Sequence, residues 1–290
     1  MSVASVVIPT WDAASTLGTA LDTARNQTVE DIEILVVCDG ATPDTIAVAS
    51  DYEKLDSRVR VLNLPKAAAR GERNRHHGVA AAQSPNIVYL ADDDLLLPKH
   101  VEYVVEALES HDLVQCWNTY IDSQGRLRVL AADISSEAWQ TWHLAEPPLN
   151  RISITGTAHT VAAYQRVERG WVVPVPGVPA DLTLWRQFFE LPDLRAATLQ
   201  RATVIQFPGS ERRGLDDVQL AAVRAPWEAL VREPDVEDKY DERVRQAERE
   251  ELLVAGLEFG SLVRDVRRVA ADYVELRAEY DRIRDALSPE

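Results

Sequence analysis

Four short apolar runs, rich in β-branched residues and separated by helical segments, occupy the first ninety residues, and this alternation constrains the fold more than any other feature of the chain. Val3 to Ile8 reads as a strand that Pro9 ends. Residues 13 to 26 read as a helix with Leu17, Ala20, Leu21 and Ala24 on one face. Ile32 to Cys38 is a second strand, closed by Asp39-Gly40. Thr42 to Leu55 is helical, with Pro43 suited to the first turn. Val59 to Leu64 is a third strand, Arg70 to Ala82 a helix, and Ile87 to Leu90 a fourth strand running into Asp92-Asp93-Asp94. A helix over Pro98 to Ser110 and a strand over Leu113 to Tyr120 follow. This order predicts an α/β fold: a Rossmann-like αβα sandwich with a mostly parallel central sheet. In such sheets ligands sit beyond the carboxyl ends of the strands. The acidic turns after the second and fourth strands fall there.

At 290 residues, 46% of them apolar, the chain is long and apolar enough for a packed core with an appendage. No window approaches the roughly 18 uninterrupted apolar residues of a membrane span. The N-terminus lacks a basic region and its apolar run stops at Pro9, so it reads as the first strand rather than a secretory signal. A cytoplasmic location is expected, including a peripheral one at a membrane. Cys38 and Cys116 form no ligand or redox motif and are expected to be buried free thiols, as suits a reducing compartment. The formal charge of -16 disfavours a duplex nucleic-acid partner, whose phosphates demand a basic face.

Residues 121 to 215 are less regular. Trp117, Trp139, Trp142, Trp171 and Trp185 span this region and its approach, as does the Pro-rich run from Pro174 to Pro179. An aromatic acceptor pocket and a core with long connections both fit them. From about 217 the chain is charged and helical. Apolar residues recur there at alternating spacings of three and four: Leu252, Ala255, Phe259, Leu262, Val266, Val269, Tyr273, Leu276, Tyr280, Ile283 and Leu287. This seven-residue repeat predicts a coiled coil and a homo-oligomer, a dimer, through the C-terminal helix. With Leu252 at position a, Asp272 and Glu279 fall at g and would face Arg277 and Arg284 at e of a parallel partner. Gly256 and Gly260 weaken the start by up to about 1 kcal/mol each. A terminal helix folded back on the body is the alternative. The expected divisions are 1–115, 116–215 and 216–290: a nucleotide-binding part, an acceptor-binding part and a helical region.

Three adjacent carboxylates after an apolar strand repel one another, and a divalent cation removes that cost. Asp92-Asp93-Asp94 therefore reads as a cation site that would bridge a diphosphate, or else as a solvated helix start. Asp39 at the end of its strand suits a base N–H, or an ordinary turn. Arg70, Arg73, Arg75, His76 and His77 crowd one short helix, either to hold phosphate through forked hydrogen bonds or as a solvated face.

Together these pieces resemble the family 2 glycosyltransferases of GT-A fold, over about residues 3 to 210. The carriers are Val6-Val7-Ile8-Pro9-Thr10-Trp11-Asp12, Cys38-Asp39-Gly40, Glu72-Arg73-Asn74 with Gly78 slightly displaced, and Tyr89-Leu90-Ala91-Asp92-Asp93-Asp94-Leu95-Leu96-Leu97-Pro98. The resemblance implies a GT-A fold and transfer of a sugar from a nucleoside-diphosphate sugar, UDP- or dTDP-linked, to an acceptor hydroxyl on a glycan, a lipid-linked carrier or a small molecule. It implies that Pro9, Trp11 and Asp39 surround the base, that Arg73 and Asp92 lie at the donor, and that Asp93 and Asp94 bind Mg²⁺ or Mn²⁺. Its catalytic base maps to Asp181 in Ala180-Asp181-Leu182-Thr183-Leu184-Trp185, where a helix N-cap is the alternative. In the direct-displacement members the anomeric centre inverts.

The chain departs from the family pattern at four places: Ala91 for the first aspartate of the motif, Cys38 for an acidic neighbour of Asp39, Ala180 for an acidic neighbour of Asp181, and Phe207 where the family often carries histidine. These departures leave a second reading, a catalytically degenerate nucleotide-binding or coiled-coil assembly module. A nucleotidyltransferase is a third, weaker reading, without a Gly-rich phosphate loop near the N-terminus to support it.

Overall fold

The computed structural model describes residues 2–130 and 132–287, with side chains through residue 278. Strand β1 (Ala4–Thr10) leads through α1 (Leu17–Arg25) to β2 (Ile32–Asp39), then through α2 (Pro43–Leu55) to β3 (Val59–Leu64). Helix α3 (Glu72–Ala81) precedes β4 (Asn86–Tyr89), the short β5 (Leu95–Leu96) and α4 (His100–Leu108). The middle holds β6 (Leu113–Cys116), the hairpin β7 (Asn118–Ile121) and β8 (Leu127–Leu130), α5 (Glu137–Leu144), β9 (Thr157–Thr160) and α6 (Val161–Tyr164). Next come α7 (Ala180–Phe189), β10 (Ala196–Leu199), β11 (Val204–Ile205), α8 (Asp217–Leu230) and α9 (Val236–Leu287).

Seven strands form the main sheet in the order β10-β6-β9-β4-β1-β2-β3. All neighbours run parallel except β9, which is antiparallel to both β4 and β6. The strands at the centre are apolar on both faces, as burial from two sides requires. Ala4, Val6 and Ile8 of β1 join α1, α2 and α4 in one core layer. Val7, Leu35, Val37 and Tyr89 join α3, α6 and α7 in the other. The αβα sandwich expected from the sequence is the observed architecture.

Two strand limits differ from expectation. Pro9 does not end β1, which pairs with β2 through Pro9 opposite Val37 and Thr10 opposite Cys38. The Val7 carbonyl accepts from Leu90 on the β4 side. Pro9, two residues on, faces that same side, where β4 has already left the ladder at Tyr89. Its missing N–H therefore costs no ladder bond. The single strand expected over Leu113 to Tyr120 is two, because the chain leaves the main sheet at Trp117 to build the β7–β8 hairpin.

Cys38 and Cys116 are free and buried. Among the described residues no helix is long and apolar enough to cross a membrane. Met1–Val244 forms one compact unit, inside which the expected divisions at 115 and 215 fall, and the chain from Arg245 onward forms a second. That second unit is helical, and its described apolar heptad positions are exposed. The heptad residues Tyr280, Ile283 and Leu287 and the pair Glu279 and Arg284 lie outside the residues whose side chains are described.

Candidate active site

The carboxyl ends of β1 and β2 and the turn after β4 open on a cavity of 330 Å³ whose lining includes Pro9, Trp11, Asp39, Lys66, Arg75 and Asp92. A second cavity, of 630 Å³, shares Trp11 and Asp92 with it and continues past Asp93 to Phe207, Arg212 and α8. Four of the residues expected around a donor, Pro9, Trp11, Asp39 and Asp92, thus meet in one place although more than eighty residues separate the first from the last.

Asp39 is the anchor of the first cavity. Its Oδ1 accepts from the Ala67 N–H and from Asn74 Nδ2, both at 2.7 Å, and its Oδ2 accepts from Lys66 Nζ at 2.6 Å. Burial alone would raise its carboxyl. The bonds from Lys66, Ala67 and Asn74 outweigh that and hold it below the ordinary 3.8. Two glycines let the loop after β3 wrap over it. Gly40 has φ +59, and a Cβ there would stand 2.6 Å from the Lys66 Cβ. Gly71 has φ +83, and its Cβ would stand 2.5 Å from Asp39 Oδ2. Lys66 in turn lies over the Trp11 ring, 4.6 Å from its centroid.

The arginines that line this cavity are Arg70 and Arg75, not Arg73. Arg73 is exposed on α3 and lines neither cavity. The orientation of α3 decides this. Gly78 lies so close to β2 that a Cβ would stand 2.6 Å from Val37 Cγ2, which fixes the helix face that meets the sheet. Arg75 is held by the buried aromatic layer, its guanidinium 5.2 Å from the Trp171 ring centroid. Trp171 Nε1 donates to the Tyr89 hydroxyl at 2.9 Å, and Tyr89 pairs with His159 Nε2 at 2.8 Å. Burial pulls the Arg75 guanidinium below its ordinary value, against the fields of Glu72, Asp181 and Asp39. Its Nε is buried without a hydrogen-bond partner among the described residues, which is costly unless an anion completes it.

The three aspartates after β4 separate into different roles. The Asp92 carboxyl lines both cavities. Burial and the neighbouring Asp93 push it up to about 6, against the Thr10 hydroxyl, Arg212 and the Trp11 N–H. Asp93 lines the second cavity, and its Oδ2 meets Arg212 Nη2 at 2.5 Å. Burial raises it as well, opposed by Arg212 and Arg224. Asp94, expected with Asp93 as a metal ligand, points the other way. Its Oδ1 accepts from the Phe207 N–H at 2.8 Å, it is 6% exposed, and it lines neither cavity. Burial and Asp93 raise its carboxyl, and its bond to Phe207 makes it a clamp between the acidic turn and the segment just after β11.

Asp92 and Asp93 are adjacent carboxylates on one cavity, both raised by burial, with the charge of Asp93 adding to the rise at Asp92. An oxygen-only pair of this kind fits a hard divalent cation that keeps several waters and takes its remaining ligands from phosphate. Among the described residues no three His, Cys, Asp or Glu side chains converge as a fuller cage would need. Phe207 supplies no imidazole. It is 3% exposed and lies under the Arg224 guanidinium, 4.3 Å from its ring centroid.

Asp181 lies in the first turn of α7, whose N-cap is Pro179 with no side-chain cap bond, so Asp181 is not the cap. Its Oδ1 accepts from the next N–H, Leu182, at 2.9 Å. Burial raises its carboxyl above 3.8, opposed by Leu182, Arg75 and Asn150. It lines neither cavity, and Arg75 is the residue whose field links it to Asp39.

Of the middle tryptophans, Trp171 and Trp185 are core residues, 3% and 0% exposed, packed on Tyr89. Trp139 and Trp142 stack edge to face with each other, their centroids 5.6 Å apart. None of these, nor Trp117, lines either cavity. Lys66 and Arg212 carried no sequence signal of their own; the loop and the segment that hold them meet the acidic strand ends only in the fold.

A family model described as Glycosyl transferase family 2 matches residues 5–167. A putative glycosyltransferase, EpsH, from Bacillus subtilis (strain 168) is 30% identical over 113 residues, 39% of this chain and 32% of that protein. The GalNAc(5)-diNAcBac-PP-undecaprenol beta-1,3-glucosyltransferase of Campylobacter jejuni is 26% identical over 123 residues, 42% of this chain and 40% of that protein. The chain thus spans well under half the length of these curated relatives. The crystal structure of S. aureus TarS 1-349 in complex with UDP-GlcNAc superposes with a TM-score of 0.56 at 12% identity, covering 79% of this chain and 70% of that one. That likeness is one of fold, the GT-A-like α/β sandwich.

Proposed function

Because this chain belongs to glycosyl transferase family 2, whose model spans more than half of it, we propose that it moves a sugar from a nucleoside-diphosphate sugar, UDP- or dTDP-linked, to an acceptor hydroxyl. The observation that carries the reading is the single cavity in which Asp39 and Asp92 face Lys66 and Arg75 at the carboxyl ends of β1, β2 and β4. Trp11 and Pro9 offer apolar faces to a base beside the Asp39 carboxylate. Arg75, with an unpaired buried Nε, and Lys66 suit the two phosphates of the donor. Asp92 and Asp93 are the residues that would hold Mg²⁺ or Mn²⁺, which would supply charge neutralisation at the departing diphosphate.

In this reading Asp181 takes the proton of the acceptor hydroxyl. The freed oxygen attacks the anomeric carbon while the bond to the diphosphate breaks, in one displacement that inverts the centre. A carboxyl raised by burial is a stronger base than an exposed aspartate, which suits that role. The acceptors that fit are glycans, lipid-linked carriers and small molecules. A lipid-linked acceptor is supported by one relative, which bears an undecaprenol-linked substrate in its name.

The test is Asp181→Asn. Transfer is expected to fall at least 100-fold, as for loss of a general base. UDP and dTDP, each with Mg²⁺ or Mn²⁺, are expected to raise the melting temperature of variant and parent alike. Full activity in the variant would remove Asp181 from the mechanism. No nucleotide response in the parent would favour the non-catalytic assembly module.

A further inference from the structure

We propose that the long C-terminal helix pairs with the same helix of a second copy of this chain as a parallel coiled coil. Within the unit from Arg245 onward, the described large apolar residues at positions a and d are all exposed. Leu252 is 73% exposed, Phe259 68%, Leu262 59%, Val266 59%, Val269 63% and Leu276 65%. A monomeric soluble protein rarely leaves a contiguous apolar row of this length in water.

The spacing identifies the kind of partner. An ideal helix drifts about 20° per heptad against a strict seven-residue repeat. A helix lying on a globular surface has no need of such a repeat. The row here keeps the repeat through Leu276, and by sequence to Leu287, so its complement is another helix winding around it.

The charges identify the partner as a second copy and set its direction. The g positions are Glu251, Glu258, Asp265 and Asp272, all acidic, and the e positions are Gly256, Val263, Ala270 and Arg277. In an antiparallel pair g meets g and e meets e. That would set acid against acid along the seam and leave Arg277 opposite an uncharged e position. In a parallel pair each g meets the e five residues on. Asp272 then faces Arg277 of the second copy, and the other acids face residues without charge. The chain is complementary to itself in the parallel arrangement alone. Val263 and Ala270 at e widen the apolar seam on the same side.

The assignment is independent of the reaction, so either can fail without the other. The full-length chain in light scattering is expected to show twice the chain mass at micromolar concentration. Val269→Glu, at an exposed position, is expected to give a monomer whose nucleotide-dependent melting shift is unchanged. Ala255→Cys places a thiol at d, where parallel partners meet residue to residue, and mild oxidation is expected to link most of the chain into covalent dimers. Asp272→Arg is expected to weaken the dimer three- to tenfold, and Asp272→Arg with Arg277→Asp to restore it. A monomer for the parent chain overturns the proposal. So does a dimer that Val269→Glu leaves intact, or one that Ala255→Cys fails to cross-link.

Discussion

Asp92→Asn is expected to stabilise the ligand-free protein at pH 7.5 while weakening donor binding. The folded state holds the Asp92 carboxyl at about 6 instead of 3.8, through burial and the charge of Asp93. Its charged form is therefore less favourable folded than unfolded. At roughly 1.4 kcal/mol per pH unit this amounts to about 3 kcal/mol, and solvent screening at a half-buried group brings it to about 1–2. The sign follows from proton counting. Between 3.8 and about 6 the folded chain binds more protons than the unfolded one, so the destabilisation is full above pH 6 and fades as pH falls through 6 towards 4. Asparagine never bears the charge and keeps an oxygen for the Trp11 amide. Its advantage should be about 1–2 kcal/mol at pH 7.5, a rise of about 2–8 °C in the melting temperature, and about a third of that at pH 4.5. The assay is thermal or urea unfolding of parent and variant at both pH values without nucleotide or metal. A variant less stable than the parent at pH 7.5, or an advantage equal at both pH values, would refute the reasoning. The same variant should bind nucleoside diphosphate with cation at least tenfold more weakly, which would mark a site that trades stability for binding.

Two further outcomes follow from the cavity. Arg75→Met keeps the stem on Trp171 but removes the charge from beside Asp39 and Asp181, so UDP affinity measured by calorimetry should drop about tenfold or more, as for a lost charge-assisted pair; an unchanged affinity would take Arg75 out of the donor site. Gly71→Ala drives a Cβ to 2.5 Å from Asp39 Oδ2 at φ +83, so it should cost about 2 kcal/mol or more and weaken nucleotide binding, and a variant with parental stability and affinity would show that the loop over Asp39 is not held as described.

The degree to which sequence sufficed differs from one residue to the next. Asp39 was legible because a buried strand ended by Asp-Gly puts its last side chain at the sheet edge whatever lies around it. The placement of Asp92 was legible for the same reason, since it follows an apolar strand of a parallel sheet, whereas Pro9 and Trp11 were implied by the family resemblance alone. Arg73 and Arg75 stand two residues apart on one helix and so face nearly opposite ways. Choosing between them needed the rotation of α3, which the contact of Gly78 with Val37 sets. The three consecutive aspartates posed the same problem in a tight turn, and Phe207, more than a hundred residues away, decided it by drawing Asp94 inward.

Local pattern by itself determined the order β1-α1-β2-α2-β3-α3-β4, the free buried thiols and the heptad row of α9, because apolar periodicity is a property of neighbours along the chain. The tertiary structure alone decided the pairing of β9 between β4 and β6, the collection of Trp171 and Trp185 into the core beneath Arg75, and the arrival of Lys66 and Arg212 at the acidic strand ends. Those contacts join residues tens to more than a hundred positions apart. Their free energy depends on shape and burial in the folded state, which no window of sequence contains.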